Sequence, residues 1–559
     1  MTRRSSVLLV ILLIASAALA AQTALKLPQT PINVARLTAH VKEIASDAYE
    51  GRGPGTRAEQ KTVDYISKQL AAVGVQPGGD ADGKGGRKWT QAVELLQSNV
   101  SGTLSASIAV GGATVPLKQG DQIAVRSSLL PTSHVTIKNA PIVFVGYGVS
   151  APERRWDDFK GLDVKGKILV VLVNDPDFEA NLGNRFDGKA MTYYGRWTYK
   201  YEEAARRGAA GVLVVHETAP ASYGWDVVKN SNTDTMFDIV RDKPAEMHPP
   251  LEAWIQRAVA VDLFRRAGLN FDAEKKKAQS DTFKPMPLGN ATLSLDYAVK
   301  QAKISSNNVV GILKGTGHPN ETLIYAAHWD HLGIGQPDTT GDRIYNGARD
   351  NADGVASVLE LARVFAAAPR TDRSIVLLFV TVEERGLLGS EYYARHPLYP
   401  LETTVAAYSI DALSTAGPAR DVGVAGDGKI TLQDDLAAGA QKEGRRLSPD
   451  PKPEAGSFFR SDHFSFAKVG VPAISVESGL DLYAGGVAAG RKAEEDYNDK
   501  HYHQPSDEWS PSWDLRGIAI DVGLIYDLGR QLANSRRWPE WHNDSEFKAL
   551  RDKTKSARK

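Results

Sequence analysis

Apolar residues in this chain follow two rhythms. Val34, Leu37, Val41 and Ile44 recur at helical spacing behind Asn33, and Val63, Ile66, Leu70 and Val73 do so behind Thr56 and Glu59. Thr56 and Glu59 have the spacing of a capping box, so both stretches predict helices. Helical patterns recur near 199–207, 432–442 and 515–533. Between them lie short apolar runs at 141–149, 167–173, 212–215, 307–313, 323–327, 375–380, 405–410 and 471–476. Such runs, set between helical patterns and closed by Gly, Asn, Asp or Pro, predict a mostly parallel sheet flanked by helices. Residues 89–108 read as strands with turns, and 78–87, 219–250 and 478–499 as loops.

Three of the apolar runs end on chemistry. The first leads to His328-Trp329-Asp330-His331, the second to Glu383-Glu384, and the third to Asp411. In open parallel sheets ligands bind at the carboxyl ends of the strands, so these groups are expected at one edge. Asp350 opens a helical pattern, and His503 lies near the C-terminus. Each piece alone is a common surface feature. Together, His328, Asp350, Glu384, Asp411 and His503 offer two imidazoles and three carboxylates. Partly buried, such a set is costly without a cation, and it suits zinc. One carboxylate can bridge two ions about 3.5–4 Å apart, which together activate water and polarise a carbonyl. Glu383, adjacent to the ligand Glu384 but diverging from it, is the candidate general base.

Length and composition frame this chemistry. The 559 residues favour more than one structural unit, with 42% hydrophobic residues available for cores. Basic and acidic residues balance at 67 each, so no net field favours nucleic acid. Cysteine is absent, which excludes disulfides and thiolate ligands. Arg3 and Arg4, a short apolar stretch and Ala18-Leu19-Ala20 read as a cleavable export signal leaving Ala21 first. The expected location is therefore periplasmic or secreted, without a stable membrane anchor after cleavage. Oligomeric state is not legible.

The segments Ala327-His328-Trp329-Asp330-His331, Asn346-Gly347-Ala348-Arg349-Asp350-Asn351, Glu383-Glu384-Arg385-Gly386, Ser409-Ile410-Asp411, Ser461-Asp462-His463 and His503-Gln504-Pro505-Ser506-Asp507 resemble, in this order, the di-zinc aminopeptidase and glutamate carboxypeptidase family. Tyr49-Glu50-Gly51-Arg52-Gly53-Pro54-Gly55 resembles the start of such domains. The resemblance implies an α/β fold, with a three-layer, mixed and mostly parallel sheet flanked by helices. It implies two Zn2+ ions: Asp350 bridging, His328 and Asp411 completing one site, and Glu384 and His503 the other. It further implies Glu383 as base, Asp330 orienting His328, and a cis peptide bond after Asp350. The implied activity is exopeptidase cleavage of peptides by a metal-held hydroxide, most simply as an aminopeptidase. A carboxypeptidase, a one-zinc glutaminyl cyclase and a non-catalytic receptor-like protein share the scaffold.

Residues 136–290 resemble a protease-associated domain, through Val143-Phe144-Val145-Gly146-Tyr147-Gly148 and Asp163-Val164-Lys165-Gly166-Lys167. The expected division is a signal at 1–20, a first part of the peptidase domain at 21–135, the insertion at 136–290, the catalytic domain at 291–540 and a basic tail at 541–559. The tail after Lys548 is expected to fray. His501 competes with His503, and the Pro505 and Asp507 that follow favour His503. Two residues depart from the family pattern, Arg349 just before the bridging Asp and Asp353 just after it. Arg349 is a candidate contact for a substrate carboxylate, and His331 and His463 are further candidate substrate contacts.

Overall fold

The computed structural model describes residues 27–180, 182–183, 185–426 and 428–558. The expected signal segment lies outside these residues. Asn33 caps the helix Val34–Ile44 by accepting from the Arg36 amide, and Leu37, Val41 and Ile44 are buried as their spacing predicts. The Thr56 side chain caps Arg57–Ala72. Glu59 bonds the Gly55 amide at 2.6 Å rather than that of Thr56, so the capping box closes one residue early.

The strands His318–His328, Arg373–Val380, Thr404–Ile410 and Ala473–Ser478 are mutually parallel and adjacent. Leu323, Tyr325 and Ala327 enter one core with the helices Val34–Ile44, Asp353–Ala367 and Arg516–Ala533. Ile324 and Ala326 enter a second core with Tyr393 and Phe466. Alternate residues of a strand thus bury on opposite faces, giving three layers. Every residue of Arg373–Val380 is buried, which explains why its sequence runs apolar without alternation.

A second parallel set, His134–Phe144, Ile168–Leu172, Gly211–His216 and Leu251–Gln256, forms the inserted unit with its own cores. One long strand, Met286–Leu313, joins the two sets. It pairs with His134–Phe144 early and with Arg373–Val380 at its end. The strand Thr90–Val110 follows it along most of its length. The boundary expected at 290/291 therefore falls inside a continuous strand. Residues 106–125 pack in the inserted unit's core, and the boundary expected at 135/136 falls inside His134–Phe144. The turns expected within 89–108 are absent because the Met286–Leu313 strand holds that polar stretch extended.

Two expected loops are ordered instead. Residues 219–250 contain the helix Trp225–Asn232 and the strand Met236–Ile239. Residues 478–499 contain most of the helix Gly486–Lys500, which buries only Gly490 and Tyr497 and so lacks an apolar stripe to betray it. The tail does not fray: Lys548–Lys553 is helical, and buried Arg551 donates to the Thr404 carbonyl at 2.9 Å. Among the described residues no helix is long and apolar enough to cross a membrane.

The inserted unit is pinned by charge. His248 bridges Asp238 at 3.0 Å and Glu252 at 2.7 Å. Arg241 joins Asp238 to Glu391 on the helix Leu388–Arg395 of the catalytic half. Burial lowers the affinity of His248 for a proton, but Glu252 and Asp238 outweigh it and lift its pKa to about 9. A histidine raised above its unfolded value of about 6.5 stabilises the fold fully below that pH and loses the effect as pH rises through 9. Thermal stability is expected to fall from pH 6.5 to 9 by the equivalent of roughly 2–3 kcal/mol. In His248→Ala that slope should flatten, which differential scanning calorimetry across the window would show. An unchanged slope would remove His248 from this role.

Candidate metal centre

Parallel strands in register deliver the site. His328 pairs with Val380 and Ala326 with Ser409, so His328, Glu383-Glu384 and Asp411 leave the sheet at one edge. Asp350 comes from the irregular segment Ala348–Ala352 that precedes the helix Asp353–Ala367. Its following peptide bond is cis. His503 arrives after Gly486–Lys500 and has a left-handed backbone, φ 57°.

The two oxygens of Asp350 face different imidazoles. Oδ1 lies 3.2 Å from His328 Nε2, and Oδ2 lies 3.3 Å from His503 Nε2. His328 Nε2 is also 3.2 Å from Asp411 Oδ1, and His503 Nε2 is 2.9 Å from Glu384 Oε2. The result is two adjoining subsites that share one carboxylate. Burial alone would lower both histidines, yet the carboxylates hold each well above its ordinary pKa. Burial would raise Asp350, yet the histidine contacts hold it well below the carboxylate range.

These residues fit divalent cations. Asp350 is buried and Glu384 nearly so, and among the described residues their ion pairs are to His328, His331 and His503 rather than to Lys or Arg. His503 Nε2 and His331 Nε2 are buried atoms without a hydrogen-bond partner. Imidazole nitrogens and carboxylate oxygens about 3 Å apart can share a proton or stand as neighbouring donors around one cation, whose bonds of about 2 Å set the same spacing. His328, Asp350 and Asp411 place donor atoms within 4.8 Å of one another, as do His331, Asp350 and Glu384. The structure thus brings a third imidazole to the second subsite. His331 Nδ1 bonds Glu384 Oε1, and its ring stands edge-on to His503 at 5.6 Å. Expected as a substrate contact, His331 instead belongs to the floor of this subsite.

Glu383 sits apart from the histidine–carboxylate pairs, its Oε2 4.0 Å from His328 Nε2. Val382, at φ 54°, turns the chain so that the two neighbouring glutamates diverge. Burial pushes the Glu383 carboxyl well above its usual range, with His328 opposing. Asp330 meets His328 in an unexpected way. Its backbone carbonyl takes the Nδ1 contact at 3.1 Å, its carboxylate stands 3.8 Å away, and that carboxylate accepts the Glu383 amide at 3.2 Å. Asp330, raised to about 7 by burial, therefore ties the His328 turn to the base.

Arg349 does not present itself to substrate. It grips both oxygens of Glu494 at 2.8 and 2.7 Å, lies 4.1 Å over the Tyr497 ring and donates to the Ala412 carbonyl at 3.1 Å. A substrate carboxylate would have to displace Glu494, so Arg349 acts as a staple between the Asp350, Asp411 and His503 segments. Asp353 is fully buried beneath the site, both oxygens unpartnered, with its pKa raised well above the carboxylate range by burial. His463 is buried against Phe458 with neither ring nitrogen bonded, and burial lowers it to about 3. Its side chain packs edge-on against the Phe458 ring. His501 turns away to Ser506, 3.0 Å from its hydroxyl.

Asp507 is the residue the sequence most underplayed. It accepts the Arg349 amide at 3.0 Å, the Asp350 amide at 3.1 Å and the Tyr497 hydroxyl at 3.2 Å. It fixes the backbone of the shared carboxylate. Its fixed distance from His503 in the motif was the available signal.

Residues 308–522 match peptidase family M28, a span that begins before His328 and ends after His503. The chain is 24% identical over 361 residues to aminopeptidase YwaD of Bacillus subtilis, covering 64% of this chain and 57% of that protein. It is 26% identical over 266 residues to a probable lipoprotein aminopeptidase, LpqL, of Mycobacterium tuberculosis, covering 43% and 49%. The alignments thus span only about half of these relatives. Among solved structures, an aminopeptidase from Aneurinibacillus sp. strain AM-1 aligns over 89% of this chain and 94% of its own, at 21% identity and a TM-score of 0.49.

Proposed function

We propose that this protein is a two-zinc exopeptidase of the M28 type that removes N-terminal residues from peptides. The observation that carries the reading is Asp350, whose two oxygens each face a different histidine. His328 and Asp411 would hold one ion, and His503 and Glu384 the other. Zinc there would supply Lewis-acid polarisation of the scissile carbonyl and lower the pKa of water. Glu383 takes the proton of the attacking water and returns it to the leaving amine. The names of the two relatives support the amino-terminal direction. The shared carboxylate favours two ions over the one-zinc cyclase alternative.

The inserted unit leans on the catalytic half beside the site: Glu202 pairs with Lys468 at 3.0 Å, and the Tyr193 ring lies 5.4 Å from that of Phe464. It narrows access, which restricts the length of peptide admitted. Export, with Ala21 as the first mature residue, completes the reading, and N-terminal sequencing of the mature chain checks it. A peptide library with free, N-blocked and C-blocked ends, graded by length, tests the activity. Cleavage should require a free N-terminus and fall with length. Cleavage that instead requires a free C-terminus would transfer the proposal to a carboxypeptidase.

A further inference from the structure

Gly51-Arg52 is none of the proposed ligands, yet its backbone is tightly constrained. Glu50, Gly51 and Arg52 all have left-handed φ, at 46°, 64° and 52°. A Cβ on Gly51 would come within 2.5 Å of the Tyr345 oxygen and 2.6 Å of the Gly333 oxygen, so only glycine allows this approach. The turn drives the Arg52 side chain inward, where it is 0% exposed.

Every hydrogen-bond acceptor of that guanidinium is a backbone carbonyl. Nε donates to Trp329 at 2.8 Å, Nη1 to Asn346 at 2.6 Å and Ile44 at 3.1 Å, and Nη2 to Gly347 at 2.8 Å. Trp329 follows His328, and Gly347 lies three residues before Asp350. The Arg52 carbonyl also receives the His331 amide at 3.4 Å. A single planar fork therefore joins the His328 turn, the Asp350 approach and the end of the helix Val34–Ile44. A buried guanidinium without a bonded carboxylate is costly on its own. Burial lowers Arg52 to about 10, and the charges of Asp507, Asp350, Asp330 and Glu384 around it offset part of the loss.

We propose that Arg52 is a positioning residue for the metal centre: its fork sets the spacing of the His328 and Asp350 segments on which metal binding depends. This rests on the two-ion reading above. Lysine can carry the charge but cannot present the fork, so the role is geometric. Outer groups that fix ligand loops typically change metal affinity by about 10–100-fold.

The test is titration of the metal-free full-length chain with Co2+, read by visible absorption, for wild type, Arg52→Lys and Asn346→Ala. Asn346 ties the same loop through its side chain to the Ala45 carbonyl and Asp47, both at 2.9 Å, so its loss loosens the loop without unpairing a buried charge. Arg52→Lys is expected to bind Co2+ about 10–100-fold more weakly, with an altered ligand-field spectrum at saturation. A role confined to stability would lower the melting temperature and leave the saturated spectrum unchanged. Should Arg52→Lys fail to fold, Asn346→Ala decides, with weakened binding and a shifted spectrum expected. Wild-type affinity and spectrum in Arg52→Lys would overturn the proposal, as would wild-type behaviour of Asn346→Ala where Arg52→Lys does not fold. A wild-type chain that takes up no cobalt would overturn the two-ion reading and this one with it. Wild-type uptake of two ions beside unaltered variants would overturn this one alone.

Discussion

Replacing Glu383 by Ala is expected to lower kcat by about 10²–10⁴-fold while both ions stay bound. The two effects separate because Glu383 stands outside the histidine–carboxylate pairs, 4.0 Å from the nearest imidazole nitrogen. Its backbone amide is held by Asp330 at 3.2 Å, an anchor that does not depend on the side chain. Glu384, which reaches His331 and His503, is left untouched by the change. KM should move little, since the lost group acts in proton transfer rather than in holding the peptide. Steady-state kinetics on an aminoacyl anilide, with metal content measured on the same sample, checks this. Near-normal turnover in the variant would remove Glu383 as base.

Asp350→Ala is expected to abolish uptake of both ions and reduce hydrolysis to background. Of the proposed ligands each subsite would keep one imidazole and one carboxylate, His328 with Asp411 and His503 with Glu384, while His331 is engaged through Nδ1 with Glu384. Two donors are too few to hold zinc against water, where protein sites use three or four. Asp411→Ala should behave differently, since Asp411 contacts only His328 among the histidines and its loss leaves the second subsite whole. Metal analysis after dialysis against micromolar zinc distinguishes the cases. One tightly held ion in Asp350→Ala would mean that His503, Glu384 and His331 form a complete site without the shared carboxylate.

Much of this was legible in the sequence, for definite reasons. His328, Glu383-Glu384 and Asp411 each close an apolar run, and a parallel sheet puts the ends of such runs at one edge. The helices Val34–Ile44 and Arg57–Ala72 announce themselves through one buried stripe each. Legibility failed where the stabilising partner is distant in sequence or the pattern is weak. Thr90–Val110 is held extended by Met286–Leu313, nearly two hundred residues later, and both expected boundaries of the inserted unit fall inside strands. Gly486–Lys500 is mostly exposed and carries no apolar period. Arg349 read as a substrate contact because its partner Glu494 sits on that unforeseen helix. Arg52 read only as part of the segment that resembles the start of such domains, since its acceptors are carbonyls, which sequence does not distinguish.

The central claim is that one carboxylate holds two ions at the edge of this sheet. The most direct measurement is the number of zinc ions per chain in fully active protein, followed as ions are removed by chelator and restored. Two ions per chain, with activity regained only as both return, is the predicted result. Full activity with one ion per chain would contradict it.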